Sequence, residues 1–196
     1  KLISYLDNKE HDFFLVNFLV SSSVACQFDS SCTGVNETKC CAIATANYTA
    51  REFGVKSGLS ILSAKQKLKN RTDSAFLPAD FEYYSDMSEK SMNIIKKFAD
   101  VFEYVGRDEA YLDVTEKVEL DFTRASHIAQ QIKNEVREKT KLTCSVGISP
   151  NKLLSKIASG YKKPDGLTTV TPDNITEFMG TLNLGDIHGI GKKTQQ

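Results

Sequence analysis

The chain reads as a layered α/β or α+β domain, on three grounds. Segments with apolar residues at helical spacing alternate along the chain with short apolar or alternating runs that read as strands. No internal repeat or low-complexity tract interrupts that alternation. The 196 residues are 40% hydrophobic with 25 basic and 25 acidic side chains, which excludes collagen-like, coiled-coil and disordered classes.

The elements follow in chain order. Leu2 to Leu6 is apolar enough for a short strand that would deliver Asp7 at its tip, before the charged run Asn8 to His11 breaks it. Residues 21–41, rich in Ser, Cys, Thr and Asn, show little periodicity and place no element. Thr45 to Phe53 reads as a helix capped by Thr45 or Asn47 and stopped by Gly54, which sets Tyr48 and Arg51 at i and i+3 on one face. Ser88 to Phe102, with Met92, Ile95, Phe98, Ala99 and Phe102 at helical spacing, is an amphipathic helix. Gly106 and Arg107 then turn the chain into the strand Ala110 to Val114. A second helix over Thr123 to Lys139 rests on Ile128, Ile132 and Val136 and leads to the strand Leu142 to Ile148. Pro150 and Asn151 open a third helix through Ala158, the turn Lys163 to Gly166 closes it, Leu167 to Val170 is a last strand, and Pro172 begins a helix.

No apolar stretch reaches the roughly 18 residues of a membrane span, and Glu10 and Asp12 precede the apolar run Phe13 to Val20 where an export signal would carry positive charge. Five cysteines, with Cys40 and Cys41 adjacent and no CxxC spacing, read as reduced thiols of a cytoplasmic protein. The zero net charge hides a pattern. Residues 51–71 carry a balance of +5, residues 73–121 one of −8, and residues 139–196 one of +4. Such blocks are first of all solvated faces. This order also suits metal-binding carboxylates between surfaces that hold polyphosphate or nucleic acid.

The sharpest acidic cluster is Asp108–Glu109 at the entrance to a strand. Adjacent strand residues point to opposite faces, so two neighbouring carboxylates converge only where the backbone turns, as Gly106 permits. By spacing alone a solvated acidic turn is the plain reading and a divalent-cation site the sharper one. Mg²⁺ is held by one or two carboxylates with substrate phosphates.

The stretch DEAYLDV at 108–114, followed by TCSVGISPNKLLSKIAS at 143–159 and YKKPDGL at 161–167, closely resembles the palm of the Y-family DNA polymerases, the DinB-type lesion-bypass enzymes. ATANYTAREFGVKSGLSI at 44–61 resembles their finger segment, FEYYSDMSEKSMNIIKKFAD at 81–100 their palm helix, and GIGKK at 189–193 the hairpin that opens their thumb. From about residue 42 onward the resemblance is nearly continuous. It implies an α+β fold: a palm over residues 1–10 and 81–170 whose ferredoxin-like, mixed or antiparallel sheet is backed by helices. A small fingers insertion would occupy residues 11–80, and a helical thumb would begin over residues 171–196. A catalytic-core fragment is implied.

The resemblance also implies roles. Asp7, Asp108 and Glu109 match the family's metal-binding catalytic carboxylates, which hold two Mg²⁺ ions for in-line phosphoryl transfer. Tyr48 and Arg51 match the fingers pair that holds the incoming deoxynucleoside triphosphate, and Lys163 matches a lysine that reaches it, with Lys156 and Lys162 on the same basic stretch. Phe14 matches the aromatic that stacks under the sugar, with an ordinary core Phe as the other reading. The first 41 residues depart from the family pattern, in which two carboxylates one residue apart precede the aromatic pair. Asp7 is the preferred first-strand ligand, and alignment by the aromatic pair would offer Glu10 and Asp12 instead. Arg107 beside Asp108 is a further departure, a cation able to compete for that carboxylate.

Primer–template DNA and deoxynucleoside triphosphates are the implied partners, along with a sliding clamp reached through a further C-terminal region; no membrane is expected. The function implied is a DNA-directed DNA polymerase of lesion-bypass type. A catalytically impaired nucleic-acid-binding relative is one alternative, and a nucleotide cyclase with a palm-like sheet is a lesser one. The cyclase reading leaves the glycine hairpin and the Tyr48 motif without a use.

Overall fold

The computed structural model describes residues 13–19, 25–28 and 42–187, the first two segments by their backbone. In chain order the elements are β1 (Phe13–Leu19), β2 (Ala25–Phe28), β3 (Ile43–Ala46), α1 (Tyr48–Glu52), α2 (Ile61–Lys67), β4 (Ala75–Pro78), α3 (Phe81–Ile95), β5 (Val101–Gly106), β6 (Glu109–Asp113), α4 (Thr115–Val118), α5 (Phe122–Thr140), β7 (Thr143–Ser149), α6 (Lys152–Tyr161), β8 (Leu167–Thr169) and α7 (Ile175–Gly180). They divide into a larger unit, Lys1–Leu19 with Ser85–Gln196, and a smaller one, Val20–Tyr84.

The larger unit is built on a sheet of order β5-β6-β1-β7-β8. Antiparallel pairs join β5 to β6, β6 to β1 and β1 to β7, whereas β8 returns parallel to β7 across α6, so the sheet is mixed. Ala125, Ala129, Ile132 and Val136 lie at helical spacing along α5 and are fully buried against Ala110, Leu112, Cys144, Val146 and Ile148 of the sheet. Met92 and Ile95 of α3 join the same core. Helix α6 packs against β7 and β1. It starts at Asn151, whose side chain accepts from the Leu154 N–H at 2.9 Å. Apolar burial at roughly 25 cal/mol per Å² is what holds these helices down, since their isolated propensity is marginal.

Cys144 lies in this core, and burial, the largest cause, pushes its thiol up to about 12. Only the thiolate is nucleophilic, so the native protein should leave Cys144 unlabelled by iodoacetamide at pH 8 and label it on denaturation. Peptide mapping by mass spectrometry checks this; native-state labelling of the Cys144 peptide would show that the core opens readily.

The smaller unit is a sheet of order β3-β2-β4, with β2 antiparallel to β3 and parallel to β4. Its core comprises Ile43, Ala46, Ala50, Val55, Ile61, Ala64 and Leu68.

Three expectations change. The periodicity from Ser88 to Phe102 spans two elements: α3 ends at Ile95, one 3₁₀ turn follows, and Phe102 sits in β5 opposite Leu112. Phe102 packs against the same core from the sheet, which is why a helical pattern fitted it. Asp100 anchors the strand start, its N–H donating to the Asp113 carbonyl at 2.8 Å and its carboxylate accepting from Lys117 Nζ at 2.7 Å. The helix expected over Thr45 to Phe53 is shorter, because Thr45 belongs to β3 and Asn47 is the cap, accepting from the Ala50 N–H at 2.9 Å.

The third change concerns the insertion expected over residues 11–80. Phe13–Leu19 pairs on both sides within the larger sheet, as suits an apolar run in a central strand. The strand expected over Leu2 to Leu6 lies outside the described residues, as does the hairpin expected at 189–193.

Candidate active site

The β5–β6 hairpin reverses at Arg107 and Asp108, with an irregularity in register between Tyr104 and Gly106. Ser88 Oγ on α3 donates to the Arg107 carbonyl at 2.5 Å, which ties the turn to that helix. Asp108 is exposed, and Glu109, half-buried, opens β6. The two carboxylates therefore leave the chain where its direction changes, the circumstance in which neighbours can serve one ion.

Glu109 accepts from Lys156 Nζ, with side chains 21% and 23% exposed, so the pair is screened less than a surface one. One turn earlier on α6, Lys152 pairs with Glu103 of β5, and its Nζ lies 5.5 Å from the centroid of the Tyr111 ring. Lysines at i and i+4 thus meet glutamates on two adjacent strands. Between them, the Tyr111 phenol is raised above its usual range, first by burial and then by the charges of Glu109 and Glu103. Helix α6 comes this close because β7 has glycine at 147. A Cβ there would stand 2.2 Å from the Ser155 carbonyl oxygen and 2.4 Å from the Ser159 nitrogen. On its other side Lys156 adjoins a groove of about 610 Å³ lined also by Tyr161, Asn183 and Asp186.

Strand β1 lies beside β6, with Asn17 opposite Glu109 and Phe13 opposite Asp113. Phe13–Leu19 contains no carboxylate. Asp7, the expected first-strand ligand, and its alternatives Glu10 and Asp12 lie outside the described residues. They precede Phe13, whose position in β1 is roughly 13 Å along the strand from Asn17. Phe14 lies opposite Leu112 and Ile148, both fully buried.

Among the described residues no three His, Cys, Asp or Glu side chains gather as a metal cluster. The donor chemistry of Asp108 and Glu109 nevertheless fits Mg²⁺, which takes one or two protein carboxylates and completes its shell with water and phosphate oxygens. That Glu109 already holds an ammonium group marks the position as one that attracts a cation.

In the smaller unit, Tyr48 and Arg51 share a face of α1 as their spacing predicts. The guanidinium lies 4.9 Å from the Tyr48 ring centroid, and Arg51 Nε donates to the Ala46 carbonyl at 2.9 Å, which aims the fork. In the larger unit, Lys163 is half-buried in the turn after α6.

Sequence reasoning placed Lys156 on a basic stretch and missed its partner. The i, i+4 spacing of Lys152 and Lys156 was readable as one helical face. Their glutamates stand 49 and 47 residues away in the chain, and only the docking of α6 brings them together.

Residues 20–160 match the impB/mucB/samB family model, and residues 172–196 match the HHH motif model of that family. The chain is similar to DNA polymerase IV of Nitrosopumilus maritimus, at 66% identity over 155 residues, 79% of this chain and 43% of that protein. It is 43% identical over 157 residues to DNA polymerase IV 1 of Methanosarcina mazei, 78% of this chain and 42% of that one. The chain thus spans less than half the length of these relatives. Among solved structures, DinB from Sulfolobus solfataricus superposes with a TM-score of 0.83 at 34% identity, covering 93% of this chain and 55% of that one. An insertion ternary complex of Dbh DNA polymerase gives 0.82 at 33%, with the same coverages. With 141 consecutive residues inside the family model and this likeness of fold, the chain belongs to the impB/mucB/samB family, that of the DinB-type, Y-family DNA polymerases.

Proposed function

We propose that this chain is the catalytic core of a lesion-bypass DNA polymerase, adding deoxynucleotides from their triphosphates to a primer 3′ end on a DNA template. The observation that carries the reading is the acidic turn. Asp108 and Glu109 stand at a hairpin reversal tied down by Ser88, in a fold shared with polymerases of the same family. On this reading the larger unit is the palm, the smaller one the fingers, and the segment from about residue 171 the start of the thumb.

Asp108 and Glu109, with Asp7 as the family's third carboxylate, would hold the metal. Bound there, Mg²⁺ supplies activation of the primer hydroxyl and neutralisation of charge on the leaving pyrophosphate. Lys156 balances Glu109 before the metal binds, which relieves the repulsion between neighbouring carboxylates. Arg51, with a planar fork suited to phosphate oxygens, and Tyr48 beside it would hold the triphosphate, and Lys163 would add a point charge. Phe14, whose backbone pairs with Leu112 and Ile148, would stack under the sugar of that nucleotide. A sliding clamp, engaged outside the core, is the processivity partner that the family reading carries. Among the described residues no helix is long and apolar enough to cross a membrane, and the proposed compartment is the cytoplasm.

Primer extension with Mg²⁺ and with chelator tests the reading: extension should appear with the first and vanish with the second. Primer–template affinity should fall steeply between low and moderate salt, because lysines that meet phosphate release condensed counterions. Flat affinity across that range would argue against a nucleic-acid partner. Salt-steep binding without any extension would select the impaired, DNA-binding relative, and conversion of a nucleoside triphosphate to a cyclic product would select the cyclase.

A further inference from the structure

Lys133, a residue with no part in the carboxylate site, is the most buried cation among the described residues, 8% exposed on α5. Its three donors are all taken: Nζ donates to the Cys144 carbonyl of β7 at 2.7 Å, to the Asp165 carbonyl at 2.8 Å and to Asp165 Oδ1 at 2.5 Å. Arg137, one helical turn further on, donates to Asp165 Oδ2 at 2.7 Å. Two cations of α5 therefore grip both oxygens of one carboxylate in the turn that follows α6.

The gripped turn is tightly made. Asp165 has φ +53°, and at Gly166 a Cβ would stand 2.3 Å from the Lys162 carbonyl oxygen. The Gly166 N–H donates to Ser145 Oγ at 3.1 Å, and its carbonyl accepts from the Val146 N–H at 3.0 Å. Lys162 and Lys163, two adjacent cations, sit in the arm of this turn and repel one another. Burying a charged pair is a poor way to gain stability, since an apolar substitute of the same volume often does as well. What Lys133 does provide is a fixed direction for the chain at Asp165, two residues beyond Lys163.

We infer that Lys133, helped by Arg137, is a positioning residue for nucleotide binding: by clamping Asp165 it sets the turn that presents Lys163 to the triphosphate. The inference rests on the proposed role of Lys163 and extends it to a helix outside the proposed nucleotide site.

Single-turnover primer extension, titrated with one deoxynucleoside triphosphate at fixed excess Mg²⁺, separates nucleotide affinity from the extension rate. Lys133→Met should raise the apparent Kd for the nucleotide by roughly tenfold, the size of one charge-assisted contact, and leave the maximal rate within about twofold. Lys163→Ala should raise Kd comparably, and the double variant should be no weaker than Lys163→Ala alone. Asp165→Gly keeps a residue at ease with positive φ and removes the clamped carboxylate while leaving the Lys133 ammonium its two carbonyl acceptors; with its fold checked by a thermal melt, it should repeat the affinity loss. Asp165→Asn retains Oδ1 as an acceptor and should restore most of it.

Unchanged nucleotide affinity in Asp165→Gly, or in a folded Lys133→Met of lowered melting temperature, would make the clamp merely structural and overturn the inference. Additive losses in the double variant would overturn it too. If Lys163→Ala itself leaves Kd unchanged, the role of Lys163 fails and the clamp has nothing to position. That outcome is distinct, because it is read from the Lys163 variant alone.

Discussion

Glu109→Ala should lower Mg²⁺-dependent primer extension by roughly 100-fold or more, since metal ions at such a site supply several kcal/mol of transition-state stabilisation. The substitution removes one oxygen donor and one charge from the turn. Its effect on the metal-free fold is set by Lys156. Repulsion between Asp108 and Glu109 alone would make the loss of Glu109 neutral or mildly favourable. The ion pair reverses that sign, because Ala leaves a half-buried ammonium without its carboxylate. The pair is partly open to solvent, so the cost should be about 1 kcal/mol, or ~2–4 °C in melting temperature. Extension rates and metal-free melts on both proteins decide. An unchanged rate would mean that the two-metal role does not transfer to Glu109, and a fall of many degrees would mean that its role is structural.

Gly147→Ala should strongly destabilise the larger unit. The added Cβ meets backbone, the Ser155 carbonyl oxygen at 2.2 Å and the Ser159 nitrogen at 2.4 Å, and no side-chain rotation relieves it. Helix α6 must move off β7, which breaks the 2.6 Å hydrogen bond from Ser155 Oγ to the Gly147 carbonyl. Overpacking of this kind costs about 3 kcal/mol or more, a drop of roughly 6–12 °C. Because α6 also carries Lys152 and Lys156, primer extension should fall even at temperatures where the variant remains folded. Gly160→Ala is the matched control. A Cβ there meets nothing within 4 Å, so alanine in that helix should be neutral or slightly stabilising. Equal melts for the two variants would show that α6 is not seated on Gly147 as described.

Much of this fold was legible because its signals are local. α5 announced itself through Ile128, Ile132 and Val136 at helical spacing, and β7 and β8 through short runs with β-branched residues bounded by turns. The acidic turn was legible for the same reason, since Gly106, Asp108 and Glu109 adjoin in sequence. The failures have physical causes too. Phe102 fitted a helical pattern because α3 and β5 press against one core, and a core-facing residue carries no mark of the element that bears it. In sequence the carboxylate Asp7 marks the end of a first strand, and nothing local assigns Phe13–Leu19 to the same sheet. A strand paired on both sides asks only for a mostly apolar run, and Phe13–Leu19, apolar but for Asn17, is one.

The class of fold, the acidic turn and the shared face of Tyr48 and Arg51 are legible in the chain alone because each depends on residues within a few positions of one another, and the family is legible because its motifs run through most of the chain. Which cation answers which carboxylate is settled by packing. Lys156 reaches Glu109 across 47 residues, and Lys133 reaches Asp165 across 32. A charge in sequence has no direction until packing gives it one. Here the direction comes from α6 lying on a glycine at 147 and from α5 burying a lysine beneath the turn at 165, contacts set by shape and close packing between segments that no local pattern links.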